Sequence, residues 1–263
     1  MDLATTVTIG VFGLFHSHSL DIEPYGSSRL EVRCEKGQPR VVEGRQRARL
    51  TSNCAVSGPA DFVLIVPGKI RRHYQGTLET RVLPSGELLA IVRMSIKIAV
   101  ASTVAAESPP GASKAMLEAQ AIVTRSYFSA PVQGRHHGFE FCDTTHCQFI
   151  KDPPLPESAA SRATLATSGQ VLVYHDRIIA AFYAAKCDGL LAPLAASRVG
   201  DGDYPYFAVS CDYCLRNPSK APLKSNARPH HHGMCQLGAD DLAKQGWTAT
   251  RILAHYYPGT ALR

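Results

Sequence analysis

The sequence has a single tryptophan and no long apolar run. Nothing approaches the roughly 20 apolar residues that a membrane-spanning helix needs. The longest apolar-leaning stretch, Leu88 to Ala106, is interrupted by Arg93 and Lys97, so no transmembrane segment is expected. There is also no RNP-like aromatic motif, zinc-finger pattern or long Lys/Arg block, which leaves nucleic acid without support as a partner. No HExxH helix motif is present, which removes the main sequence argument for a zinc-dependent hydrolase. Met1 to Leu20 has no basic n-region, and its apolar stretch is broken by Gly10, Gly13 and His16. A secretion signal is therefore not expected within this chain. Internal repeats and low-complexity tracts are absent as well.

What is there is a globular composition. The chain has 263 residues, 45% hydrophobic and 19% charged, which suits one large domain or two small ones in a soluble protein. Seventeen prolines and 20 glycines favour many turns over a long helical bundle. Lys and Arg number 28 against 22 Asp and Glu, giving a formal net charge of +6. That sign favours anionic partners, and a polyanionic cell-wall polymer satisfies it as well as any. Arg40, Arg45, Arg47 and Arg49, and the adjacent Arg71 and Arg72, read as a solvated β-surface.

Residues 1–95 read as a β-rich part. Val7, Ile9 and Val11 alternate with polar or small residues, as do Leu30, Val32 and Cys34. Val63 to Val66 is a short strand stopped by Pro67-Gly68. Leu78 to Leu83 and Leu88 to Val92 flank Pro84-Ser85-Gly86 as a hairpin. Residues 96–263 then read as a mixed helix and strand core, expected to form one continuous structural unit with the β-rich part. Ile98 to Ala106 is Ala-rich and helical in pattern, and Ser113 is a candidate N-cap for a second helix with a small-to-apolar stripe from Ala115 to Ser126. Val171 to Tyr174 and Ile178 to Tyr183 suggest another hairpin. Short helices near Gly238 to Gln245 and Thr250 to Tyr256 end at Gly246 and Pro258-Gly259. The fold class is α+β.

Four ordered blocks carry a resemblance. They are Val104-Ala105-Ala106-Glu107-Ser108-Pro109 with Met116 to Ala121 and Arg125-Ser126-Tyr127; then Cys142 to Gln148; then Gly233 to Ala239; and finally Ile252-Leu253 with His255 to Thr260. Together they resemble the SpoIID/LytB family. The resemblance implies a lytic transglycosylase that cleaves peptidoglycan glycan strands, typically those stripped of stem peptides, and leaves 1,6-anhydroMurNAc ends. It implies an extracytoplasmic site of action, in the cell envelope or periplasm. Because the family name also covers amidase enhancers, the alternative is a non-catalytic peptidoglycan-binding module with a cell-wall amidase as partner.

Glu107 matches the family's catalytic acid/base. Read by itself, it follows an uncharged run and sits at a helix end shortly before Pro109-Pro110. There the negative end of the helix dipole and apolar neighbours favour a protonated carboxyl, as a general acid requires. An exposed glutamate at a helix end is the bland alternative. Glu118, inside a helix, suits an ordinary ion pair. Tyr127, Gln148, His230 and Gln236 are the expected substrate-binding residues, their proximity implied by the resemblance. The family's Gly-His-Gly loop is altered here to Pro229-His230-His231-His232-Gly233, which bears on whether the enzyme is active.

His136-His137 precede Cys142, His146 and Cys147 at spacings that let imidazole nitrogen and thiolate sulfur converge on one tetrahedral Zn²⁺. Some members of the family bind zinc near the groove through His and Cys in this region. His136, Cys142, His146 and Cys147 are the expected ligands, with a structural or groove-shaping ion. His137 in place of His136, His146 facing substrate, and a Cys142–Cys147 disulfide stay open. Of the eight cysteines, Cys211 and Cys214 form a CxxC that Cys187 and Cys235 complete, either as a second zinc site of four thiolates or as two disulfides.

Overall fold

A computed structural model describes residues 5–26, 29–36, 38–43, 56–131, 136–191, 204–218 and 232–263. Arg45, Arg47, Arg49, Pro229, His230 and His231 lie outside the described residues. The protein is α+β and divides into two compact units, Thr5–Ser102 with Gly134–Pro153, and Thr103–Gln133 with Pro154–Arg263. Among the described residues no helix is long and apolar enough to cross a membrane.

The first unit is built on an eight-stranded sheet. Its strands are β1 (Thr6–Val11), β2 (Ser19–Pro24), β3 (Leu30–Glu35), β4 (Gln38–Glu43), β5 (Val56–Val66), β6 (Ile70–Val82), β7 (Leu88–Ser95) and β8 (Phe141–Cys142), in the spatial order β4-β3-β2-β5-β6-β7-β1-β8. All pairings are antiparallel except β1 with β8, which is parallel. The β6–β7 hairpin expected from the sequence is present, with Val82 opposite Leu88. Its turn closes through Gly86 N–H to Leu83 O at 2.8 Å, and Gly86 takes φ +84° there.

Alternation on β6 places Arg72, Tyr74, Leu78 and Thr80 on the buried face and Arg71 and Arg81 outside. The expectation that Arg71 and Arg72 are both solvated is therefore corrected. Successive side chains of a strand point to opposite faces, so Arg71 pairs with Glu23 at the surface while Arg72 is 8% exposed. Arg72 Nη1 donates to Asp143 Oδ2 at 2.9 Å, and its guanidinium lies over the rings of Phe12 and Phe149. Burial pushes the Asp143 carboxyl up, opposed by Arg72 and by the Phe12 N–H. Breaking such a buried pair on one side costs about 3–5 kcal/mol. Ile22, Leu64 and Val92 are fully buried in the same unit, each contributing roughly 1.5–3 kcal/mol of transfer free energy.

Helix α1 (Ile96–Glu107) begins where Ser95 Oγ accepts the N–H of Ile98 at 3.3 Å, an N-cap that starts the helix straight from β7. The second unit gathers α2 (Lys114–Ser129), α3 (Ala159–Ala166), α4 (Asp212–Arg216), α5 (Gln236–Lys244) and α6 (Ala249–Tyr256) around short strands. These are β9 (Leu172–Tyr174), β10 (Arg177–Ile178), β11 (Tyr183–Ala184), β12 (Leu190–Leu191), β13 (Val209–Ser210), β14 (Met234–Cys235) and β15 (Ala261–Leu262), arranged as β10-β9-β15, β11-β14 and β12-β13.

Nearly every residue of α2 after its first turn is buried. Its N-cap residue, Ser113, gives no side-chain cap. Instead the Ser113 N–H donates to Asp240 Oδ1 of α5 at 2.7 Å, so one helix terminus is capped by another helix. Glu118 makes the ordinary i,i+4 ion pair anticipated for it, with Lys114 at 3.7 Å. Arg125, 4% exposed, donates to the carbonyls of Gln170 and Thr164, and burial lowers it to about 10. It holds backbone rather than ligand.

Candidate active site and metal centres

Glu107 is the last residue of α1 because Pro109, Pro110 and Gly111 follow and the helix cannot continue through two residues without N–H groups. The chain turns at once, with Ala112 N–H on Pro109 O at 3.1 Å and Gly111 at φ +71°. Glu107 is left half-buried at this corner. Its backbone carbonyl accepts a hydrogen bond from Gln236 Nε2 at 3.1 Å, and the same nitrogen donates to Gln120 Oε1 at 3.2 Å. Gln120 and Gln236 are 0% and 2% exposed, so this junction of α1, α2 and α5 is dry.

Gln236 opens α5, immediately after β14. That strand runs parallel to β11, with Tyr183 opposite Met234 and Ala184 opposite Cys235. Gly233 makes the approach. At φ +77° its Cβ would collide with Phe182 O, so only glycine fits.

The register sets the Tyr183 hydroxyl in the interior against Glu107 and Thr124, without closing a well-aligned hydrogen bond. Burial first, and then the Glu107 charge, push the Tyr183 phenol well above its ordinary value. It is a neutral donor throughout the physiological range. Tyr127, 2% exposed, belongs to the same interior and stands 6.1 Å, ring to ring, from both Phe128 and Phe182.

Of the residues singled out by sequence, Glu107 and Gln236 are thus brought into direct contact, with Tyr127 in the unit that holds them. Gln148 lies in the first unit, 1% exposed, with neither atom of its amide partnered among the described residues. His230 lies outside the described residues. Tyr183 was not singled out. Its sequence signal was only that of a strand residue, and its pairing partner is far away in the chain.

The first candidate metal centre is built on the edge of β1 that β8 covers. Parallel pairing sets Ile9 opposite Phe141 and Gly10 opposite Cys142. Thr8 donates to Glu140 Oε2 through both its backbone N–H and its hydroxyl, at 2.6 and 2.7 Å. His136 stacks on Phe139, centroids 4.5 Å apart. The result gathers one ligand atom each from His136, Cys142, His146 and Cys147, all within 4.8 Å of one another. His136 Nε2 is 3.2 Å from Cys147 Sγ, while His146 Nδ1 is 3.6 Å from Cys142 Sγ and 3.7 Å from Cys147 Sγ. Both cysteines are free thiols, so the Cys142–Cys147 disulfide is not formed. Hydrogen bonding with Cys147 in the first place, and with Thr144 and His146, pulls the Cys142 thiol down to about 4. Two imidazoles and two thiolates at these separations are a donor set for tetrahedral Zn²⁺.

The second cluster is Cys187, Cys211, Cys214 and Cys235, whose sulfurs also lie within 4.8 Å of one another and which are buried to 0–1% exposure. All four are free, and the two-disulfide expectation is corrected.

Residues 85–174 match the family model described as "SpoIID: Stage II sporulation protein". The match runs from the β6–β7 turn through β9 and takes in Glu107, Tyr127 and the His136/Cys142/His146/Cys147 cluster. It stops short of Gln236 and the four-cysteine cluster. Over that passage the chain is SpoIID-like. Comparison with curated proteins finds no match.

Proposed function

We propose, taking the SpoIID passage at residues 85–174 as premise, that the chain serves a sporulation-associated role at the cell wall. In this reading it is a lytic transglycosylase that cleaves peptidoglycan glycan strands outside the cytoplasmic membrane, with Glu107 as its single acid/base. The supporting observation is the setting of Glu107. It is half-buried at a helix end, its carbonyl is clamped by Gln236, and a neutral buried phenol faces its side chain.

The chemistry needs one carboxyl group. Protonated Glu107 gives its proton to the glycosidic oxygen, and the bond from that oxygen to the anomeric carbon breaks. The 6-hydroxyl of the same sugar attacks the anomeric carbon, and Glu107 takes the hydroxyl proton. No water enters, and the enzyme ends as it began. Hydrolytic glycosidases need a second carboxylate for a nucleophile or to activate water; the internal hydroxyl replaces it. The Tyr183 hydroxyl donates to the carboxylate in the interval between the two proton transfers. Gln236 acts as a positioning residue, fixing the backbone from which Glu107 projects.

His136, Cys142, His146 and Cys147 would hold Zn²⁺. Four protein ligands would leave such an ion no open position for water, so it would serve as a structural cross-link. A second reading, a non-catalytic peptidoglycan-binding module or amidase enhancer, is favoured by one sequence observation: Pro229 and His231 stand where the family's loop has glycine.

The test is product analysis by mass spectrometry on purified glycan strands freed of stem peptides. Strands ending in 1,6-anhydroMurNAc are expected, and their loss in a folded Glu107→Gln chain that keeps its metal. Binding with no anhydro product supports the module. Anhydro product at an undiminished rate from Glu107→Gln removes Glu107 from the chemistry.

A further inference from the structure

The cluster of four cysteines lies in the second unit, and its four residues fall outside the passage that the SpoIID model matches. Its ligands come from separate stretches of chain. Cys187 follows β11, Cys211 is the N-cap residue of α4, Cys214 is within α4, and Cys235 ends β14 and caps α5.

The elements they join are too short to hold themselves. α4 has five residues, and β12, β13 and β14 have two each. Nucleating a helix of that length is unfavourable without an external tie. Burying four thiols together in such a setting calls for something that uses them.

The sulfur separations identify it. Cys214 Sγ and Cys235 Sγ are 3.6 Å apart, far beyond the roughly 2.05 Å of a disulfide. Thiolates around one zinc at about 2.3 Å stand about 3.8 Å from one another at the corners of a tetrahedron. A cage whose corners all lie within 4.8 Å has room for one ion and none for a multi-iron cluster.

The surroundings fit as well. Gly238 N–H donates to Cys235 Sγ at 3.4 Å, and the Tyr256 hydroxyl lies 3.7 Å from Cys211 Sγ. Donors of this kind orient and stabilise metal-bound thiolates. Gly238 is required for the approach, since a Cβ there would stand 2.5 Å from Cys211 Sγ and collide with Tyr256 Oη.

The geometry points to a second, structural Zn²⁺ held by Cys187, Cys211, Cys214 and Cys235. Its role follows from the chain. Cys235 is bonded to Gln236, the residue that clamps the Glu107 carbonyl. The ion ties α4, β14 and the first turn of α5 together, and so fixes the point from which Gln236 reaches α1. Removing it frees that end of the second unit without touching the His/Cys centre.

Metal analysis of the purified intact chain tests this. Two zinc ions per chain are expected, and one in a His136→Ala/Cys147→Ser chain. Zinc-edge X-ray absorption of that variant is expected to show sulfur neighbours only, at about 2.3 Å. If the variant does not fold, the unaltered chain serves, with a sulfur-to-nitrogen ratio near three to one over its two ions, and Cys214→Ser is expected to lower the metal content by one ion. A metal content unchanged by Cys214→Ser, a nitrogen- or oxygen-containing shell in the variant, or disulfides among these four cysteines in non-reducing peptide mapping would overturn the proposal.

Discussion

The side-chain amide of Gln236 donates to the backbone carbonyl of Glu107 at 3.1 Å, joining the first residue of α5 to the last residue of α1. The amide nitrogen is doubly engaged, since it also meets Gln120 Oε1, and Gln120 in turn donates to Thr124. Gln236→Ala leaves a buried carbonyl and the Gln120 oxygen without this donor. A loss of about 1–3 kcal/mol is expected in urea unfolding. Turnover falls through kcat with KM little changed, because the residue positions the acid and does not bind sugar. A KM effect alone would contradict the positioning role.

Tyr183 gives the opposite pairing of outcomes. Its hydroxyl is buried against Glu107 and Thr124 without a well-made hydrogen bond. Tyr183→Phe removes a buried polar group and leaves little unpaired behind, so the thermal midpoint is expected to hold or rise. Turnover is expected to drop by about 100-fold, the lower end of the range for one lost transition-state donor. Equal rates from Tyr183→Phe and the unaltered chain would show that the phenol does not serve Glu107.

Asp240 makes stability depend on pH. Burial alone would push its carboxyl up, but the Lys244 ammonium at 2.6 Å and the Ser113 N–H at 2.7 Å outweigh that and hold it below the ordinary aspartate range. A carboxyl depressed on folding stabilises the protein above its unfolded value of about 3.9, and the benefit is lost as pH falls through the lower folded value. Asp240→Asn is therefore expected to cost about 1 kcal/mol at pH 7. The gap should narrow in melts taken progressively below pH ~4 and close once the folded Asp240 carboxyl has itself become neutral. A gap that persists unchanged at pH ~3 would mean that packing, not charge, is what Asp240 supplies.

The local elements were legible in the sequence and the long-range partnerships were not. The Ala-rich run from Ile98 to Ala106 and the stop at Pro109-Pro110 located α1 to within two residues, and Gly246 and Pro258 marked the ends of α5 and α6. The CxxC and the His/Cys spacing point to the two side-chain clusters that could hold a metal. The run Ile178 to Tyr183 is not one strand, because Ile178 and Ile179 continue the hairpin with β9 while Tyr183 pairs with Met234. Parallel pairing between distant segments leaves no local pattern. Arg72 was misplaced for a different reason. Its neighbours Tyr74 and Leu78, two and six positions on, already marked the buried face of β6, and adjacency to Arg71 outweighed that alternation.

Gly238 offers a substitution whose sign separates helix propensity from packing. It lies in the first turn of α5, and replacing glycine by alanine in a helix ordinarily stabilises by up to about 1 kcal/mol. Here the added methyl would meet Cys211 Sγ at 2.5 Å and the Tyr256 hydroxyl. Cys211 and Tyr256 are 1% and 2% exposed, so neither has space to retreat. Overpacking of this kind costs about 1–3 kcal/mol, more than the propensity returns. Gly238→Ala is therefore expected to lower the unfolding midpoint and to reduce zinc retention at the four-cysteine cluster, while the His136/Cys142/His146/Cys147 centre keeps its ion. A stabilised Gly238→Ala chain with its full metal content would show that the sulfurs around Gly238 are not drawn together as described.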